Sequence, residues 1–493
     1  MTSVCPSLPL ELTDTIIDNL GDDRRTLKAF ALAGSTLSGR ARRNLHRTVR
    51  ISSDRLSEIQ RLEDVYESFK DYIKDLTIAY GAENLEMIMS AKRIINNLRH
   101  LEEVKIEDTM YDAQAFEDLF VSQGQNIHTL RISKVSFNGF DSFVSLVSQF
   151  RRLRYLRMDV TDVYEDTDAP DDDAADQLPE TMTTRTLSLA PPPSLRSLYT
   201  GGCTFIHELL TWLCHSPEVN VQDVQVAFPM NTDGMPLFNF MQHISQSLTH
   251  LDLDLYAMAD NLVDADNDWR EADVTFGMPL LSDMPNLQSL TFGSLPLDPT
   301  LIDEFESSFT TIFSSYSKCD TTCDVNFLWI PKVLQDIGAP RLRQIQFNCT
   351  IWQPECVDLF PFHSVNSVLT RIMDNRLLPC LKTVTFLISV PTAASLSVIF
   401  NGQYLYDFMV IATRNICGNL PTLVNNGLLR IVECEESTLG EWRQYGSSWD
   451  GSDQNLEEAT HVDVQAAKPL ELSLDDSEDE EAMRNFIQGL LQA

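Results

Sequence analysis

The chain has 493 residues, 43% of them hydrophobic, and a formal net charge of −35. That length and apolar content can bury a large core, while the acidity argues against nucleic acid as a partner for the whole chain, because phosphate contact needs concentrated positive charge. No apolar run reaches the roughly 18 residues of a membrane span, and no basic region followed by an apolar stretch opens the chain. A cytoplasmic and/or nuclear protein is expected, with its ten cysteines as reduced thiols.

Residues 1–51 read as three short helices. Pro9 suits a first helical position, with Ser7 or Leu8 at the cap. Leu8, Leu12, Ile16 and Leu20 then fall four apart on one stripe, with Ile17 beside them, and Gly21 ends the helix. Asp22 and Asp23 can cap a second helix carrying Leu27, Phe30 and Ala31, closed by Gly34. In a third, Leu37, Ala41 and Leu45 share a face opposite Arg40, Arg43 and Arg47. Val49-Arg50-Ile51 alternates like the start of a strand. Helices this short are marginal without tertiary support, and Cys5 and His46 supply no metal set, so docking is expected, onto this chain or a second protein.

The segments Leu8-Pro9-x-Glu11-Leu12, Ile16-Ile17, Leu20 and Thr26-Leu27-Lys28-Ala29-Phe30-Ala31-Leu32 resemble the F-box, the adaptor-binding module of Skp–cullin–F-box ubiquitin ligases. Leu45-His-Arg-Thr-Val-Arg-Ile51 resembles the end of F-boxes common in fungal proteins. The chain departs from that pattern at Leu37, where many F-boxes have tryptophan, and at Ala33-Gly34, where a Val-Cys pair is usual. The resemblance implies that Leu8, Pro9, Leu12, Ile16, Ile17, Leu20, Leu27 and Phe30 bind a Skp-family adaptor and, through it, a cullin. A plain N-terminal cap on the rest of the chain is the alternative.

Residues 52–435 repeat a short apolar strand, written as apolar, two residues, apolar, one residue, apolar. It occurs at Ile73-Leu76-Ile78, Leu101-Val104-Ile106, Ile127-Leu130-Ile132 and Leu153-Leu156-Met158, starting 28, 26 and 26 residues apart. Return helices are expected around Leu85 to Leu98, Phe116 to Phe120 and Phe143 to Phe150. The strand recurs at longer, irregular intervals at Leu195-Leu198, Leu248-Leu251-Leu253, Leu287-Leu290-Phe292, Leu342-Ile345-Phe347, Leu381-Val384-Phe386 and Leu428-Ile431. A strand and a return helix per unit predict an α/β solenoid of stacked parallel strands. The array resembles the divergent leucine-rich repeats that follow the F-box in many fungal proteins; independent βαβ units would give the same pattern.

The charge is uneven. Residues 159–180 carry ten acids and no base, and read as a solvated, disordered insertion between two strands. Residues 436–493 form an acidic tail ending in an amphipathic helix, with Met483, Phe486, Ile487, Leu490 and Leu491 on one face and acids at its N-terminal end.

Catalytic and metal patterns are weak. His207-Glu208 opens like a zinc-protease helix, yet the second histidine position holds Thr211 and His215 is a further turn on. Cys319 and Cys323 make half a zinc site without a second pair. No phosphate-binding glycine loop or Gly-x-Ser-x-Gly elbow occurs, so no cofactor and no enzyme activity are expected. A non-catalytic adaptor that recruits a protein target for ubiquitination is the expectation. A leucine-rich interaction scaffold unconnected to ubiquitin ligases is the alternative, and a hydrolase with dispersed His, Asp and Ser or Cys a third.

Overall fold

In the computed structural model, residues 10–20, 23–33, 35–52, 70–79, 92–111, 120, 124–164, 189–229, 234–256, 281–297, 327, 329–335, 337–351, 354–390 and 402–435 are described. The chain forms two compact units, Met1–Asn220 and Val221–Ala493.

The first unit runs α1 (Leu10–Asn19), α2 (Arg24–Ala33), α3 (Ser35–Leu45), β1 (Thr48–Ser52), β2 (Asp75–Ala79), β3 (Glu103–Tyr111), β4 (Thr129–Asn138), α4 (Gly139–Ser148), β5 (Tyr155–Tyr164), β6 (Ser197–Cys203) and α5 (Ile206–Cys214). Strands β1 to β6 pair in chain order, each parallel to the next. Parallel neighbours require a crossover that brings the chain back, and α4 supplies the crossover between β4 and β5.

The repeated apolar triplet is explained by register. Leu76, Val104, Leu130, Leu156 and Leu198 fall opposite one another, as do Ile78, Ile106, Ile132 and Met158. Each of these side chains is buried, and so is the first member of each triplet, from Ile73 to Leu195. Alternation of side chains places the intervening residues on the opposite face. The backbone repeats too. The carbonyls of Arg47, Lys74, Glu102, His128 and Arg154 each accept two N–H bonds from the next unit, as in Glu102 N and Glu103 N to Lys74 O at 2.8 and 3.0 Å. Pairing then skips one residue in each of four strands, Asp108 in β3, Lys134 in β4, Val160 in β5 and Gly202 in β6, and Asp108, Lys134 and Gly202 have positive φ (47°, 52° and 65°). Glycine takes this left-handed conformation freely; the other two are held in it by the ladder on either side.

The second unit runs β7 (Asp223–Pro229), α6 (Met235–Ile244), β8 (His250–Tyr256), β9 (Ser289–Leu297), α7 (Trp329–Gln335), β10 (Gln344–Ile351), a 3₁₀ turn (Pro354–Leu359), α8 (Phe362–Asp374), β11 (Thr383–Val390), α9 (Gly402–Asn419), α10 (Pro421–Asn425) and β12 (Leu429–Glu435). Its six strands are also parallel and in chain order. Here one column is aromatic: Phe292, Phe347 and Phe386 lie in register and stack at 5.1 and 4.8 Å, with Trp329, Phe360 and Phe362 against them. Rings this large need a deeper layer opposite, which α7, the 3₁₀ turn and α8 provide.

The expected α/β class and parallel strands with helices are present. The strands differ from the sequence reading in four places. The division at residue 51/52 cuts β1, whose Ile51 is fully buried and pairs with Ile78, so the helical segment runs directly into the sheet. The acidic stretch begins inside β5: residues 159–164 are strand, paired with β4 and β6, because Thr161 and its neighbours continue the ladder; residues 165–180 lie outside the described residues. An unexpected strand, β7, uses Val221, Val224 and Val226 in the same apolar spacing, so Leu195, Val221 and Leu248 succeed one another at 26 and 27 residues. Finally, β12 buries Leu429 with Ile431, one residue on from the expected Leu428, because Val384 pairs with Leu429. The return-helix residues Leu85, Ile88, Met89, Phe116 and Leu119 and the tail at 436–493 lie outside the described residues. Among those described, no helix is long and apolar enough to cross a membrane.

Candidate protein-interaction site

Helices α1 to α3 enclose a small core of Ile17, Leu27 and Ala41, with Leu20, Phe30, Ala31 and Leu45 packed against it. Asp23 caps α2: its carboxylate accepts from the Thr26 backbone N–H at 3.0 Å and from the Thr26 hydroxyl, which holds its pKa below the usual carboxylate value.

The orientation of α1 is fixed by ions. Arg40 on α3 donates to Asp14 at 3.2 Å and to Asp18 at 2.9 Å, and Asn44 donates to both Asp18 and the Ile17 carbonyl at 3.1 Å. The Arg40 hydrogen bond, joined by Asn44, pulls the Asp18 pKa down to about 2. Asp14 and Asp18 follow Leu12 and Ile16 by two positions, roughly 200° around a helix of 3.6 residues per turn. Clamping the acids to α3 therefore turns Leu12 and Ile16 away from the bundle, where they are 55% and 46% exposed.

The eight residues implied by the resemblance thus divide. Leu12 and Ile16 present apolar surface. Ile17 and Leu27, 0% and 1% exposed, sit inside the module and hold its shape. Leu20 and Phe30 are partly buried on the same core. Leu8 and Pro9 lie outside the described residues. A residue not singled out as a contact, Leu32 near the end of α2, is 86% exposed. Its signal was legible: it falls off the Leu27, Phe30 and Ala31 face.

The module is fastened to the sheet by more than β1. Arg47 donates to Asp75 at 2.9 Å, and the Arg47 carbonyl receives the N–H groups of Lys74 and Asp75. Burial raises the Asp75 pKa against the pull of Arg47. A cleft of about 430 Å³, lined among others by Arg43, Asn44, Thr48 and Tyr72, lies at this junction.

The outward face of β1 to β6 is a lattice of ion pairs: Arg50 with Glu107 at 3.4 Å, Lys105 with the same Glu107, Arg131 with Glu103 at 2.8 Å and Arg157 with Asp159 at 2.8 Å. Arg157 also lies over the Tyr199 ring at 4.1 Å. Burial raises the Glu103 pKa although Arg131 opposes it.

A His–Asp–hydroxyl grouping lies at the entrances of β7 and β8. Asp223 Oδ1 and Thr249 Oγ1 approach the same ring nitrogen of His250, Nδ1, at 2.6 and 2.9 Å. A relay needs the hydroxyl on one nitrogen and the carboxylate on the other, so this grouping clasps two strands without activating Thr249. His215 Nδ1 lies 2.8 Å from the Thr211 carbonyl of its own helix. No cluster of three or more His, Cys, Asp or Glu positioned to hold a metal occurs among the described residues; Cys319 and Cys323 lie outside them. Burial pushes Cys214 up to about 11 and Cys349 higher, which suits packed thiols rather than nucleophiles.

The chain matches no protein-family model and no curated protein.

Proposed function

We propose that this protein is a non-catalytic substrate-recognition adaptor of a Skp–cullin–F-box type ubiquitin ligase, working in the cytoplasm and/or nucleus. In this reading α1 to α3 are an F-box that docks a Skp-family adaptor and through it a cullin. The strand–helix units are divergent leucine-rich repeats that hold a protein target for ubiquitin transfer by other subunits. The observation that carries the proposal is the Leu12 and Ile16 stripe, left bare on a three-helix module whose own core is otherwise closed. Two large apolar side chains at adjacent turns, with Leu32 also exposed on the same module, form the kind of surface that is covered by a partner. Mechanistically the protein would act by proximity, with the ligase at one end and the target on the repeats.

Co-purification tests this. Tagged wild-type chain should retain a Skp-family adaptor and cullin, and Leu12→Asp with Ile16→Asp should lose both while the fold persists. Equal retention by the variant would refute the docking face.

A second reading has its own observation. The continuity of α3 into β1, with the Arg47–Asp75 pair, is what a helical cap on an interaction scaffold without any ligase link would need. That reading predicts no adaptor capture by the wild-type chain.

A further inference from the structure

We infer that the strand-entry edge of the first unit, from β3 to β6, is a binding site for an acidic polypeptide segment. The residue before each strand stands in one row: Arg47, Lys74, Glu102, His128, Arg154 and Arg196. The doubly accepting carbonyls fix the backbone of the first five, so the row repeats at the strand spacing of about 4.8 Å.

The two halves of this row differ. Near β1 to β3 the cations are neutralised within the chain, Arg47 by Asp75 and Lys74 by Glu102 at 2.7 Å. Towards β6 they are not. Arg154 and Arg196 are exposed, and the preceding turns add exposed Arg99, Arg151 and Arg152. Among the described residues none of these five guanidinium groups, nor the His128 ring, makes an ion pair or hydrogen bond. Glu102, the acid of the row, is engaged by Lys74.

Five arginines on one edge without an acidic partner among the described residues are out of keeping with a chain holding 72 acids against 37 Lys and Arg. Like charges so placed repel one another, and a ligand that brings carboxylates relieves this. The guanidinium fork matches a carboxylate with two parallel hydrogen bonds, and an extended run of Asp and Glu presents carboxylates at intervals that long arginine side chains span. Single-stranded nucleic acid fits less well: it needs aromatic platforms, and Tyr155 is the one exposed aromatic side chain among the described residues.

The test uses the full chain and a fluorescein-labelled dodecapeptide rich in Glu and Asp, followed by anisotropy. Wild type should bind saturably, more weakly as salt rises. Arg151→Glu/Arg154→Glu/Arg196→Glu should weaken binding by about tenfold or more. Arg24→Glu/Arg25→Glu/Arg414→Glu, three exposed reversals elsewhere with the same change in net charge, should alter it little. Circular dichroism and adaptor capture unchanged by the edge reversals would show that the module and fold are intact. The inference is overturned if wild type shows no saturable binding, if the control variant weakens as much as the edge variant, or if a Gln/Asn peptide or an oligonucleotide of equal length binds as well.

Discussion

Leu12 and Ile17 sit on the same helix, one turn and a residue apart, and the structure assigns them opposite duties. Ile17 is fully enclosed with Leu27 and Ala41, so Ile17→Ala removes three buried carbons and leaves a cavity between α1, α2 and α3. Large-to-small changes of this kind cost about 2 to 5 kcal/mol, and a core of three principal residues that relaxes readily places this one near the lower end. Leu12→Ala removes carbons that are already 55% exposed, a change within about ±0.5 kcal/mol. The assay is hydrogen exchange of α1 amides in the full chain. Exchange of α1 should accelerate about thirtyfold or more for Ile17→Ala, the equivalent of ~2 kcal/mol in local opening, and stay near wild type for Leu12→Ala. Equal acceleration by both, or protection lost only in Leu12→Ala, would refute the assignment of inner and outer faces.

Gly338→Ala should destabilise the second unit by about 2 to 4 kcal/mol, read as a lower apparent melting temperature. A Cβ there would lie 1.9 Å from the Ser282 carbonyl oxygen, in a backbone bridge where Gly338 N donates to Leu281 O and Met284 N to Gly338 O. Gly39→Ala, inside α3 with nothing within 4 Å of the added atom, should instead stabilise by about 0.5 to 1 kcal/mol; a loss of stability there would contradict the packing of α3. Lys134→Gly should raise stability by about 1 kcal/mol, because φ of 52° strains any side chain, and a lower melting temperature would refute it. The Asp18 carboxyl has its pKa lowered from 3.8 to about 2, so its contribution is complete above pH 3.8 and vanishes as pH falls through 2. Exposure and screening keep that contribution within about 1 kcal/mol. The gap in melting temperature between wild type and Asp18→Asn should therefore be full at neutral pH and close on acidification; a gap that widens on acidification would contradict the Arg40 clamp. Asp75 and Glu103, raised by burial, act in the opposite sense and cancel in that difference.

Most strands were legible because a parallel strand with one buried face repeats a short apolar spacing, and the pairings of Leu76, Val104, Leu130 and Leu156 follow from it. Strand β7 carries the same spacing in its buried Val221, Val224 and Val226, so it too was legible in the sequence. The extent of β5 was hidden by charge: Asp159 and Asp162 look like loop, yet side chains alternate along a strand and Asp159 stands on the outward face beside Arg157. At the module, periodicity found the apolar residues of α1 but could not say which of them point inward. That depends on a contact 22 residues away, between Arg40 and Asp18, which local spacing does not encode. The same limit applied to Arg40 and Arg47: both read as residues of a solvated face, and both are spent on carboxylates.

Calorimetric titration of the full chain with a purified Skp-family adaptor tests the central claim most directly. One-to-one binding with a negative heat-capacity change is expected, weakened at least about a hundredfold by Leu12→Asp with Ile16→Asp and unchanged by Arg151→Glu/Arg154→Glu/Arg196→Glu. Absence of binding by the wild-type chain, or equal affinity of the double-aspartate variant, would contradict it.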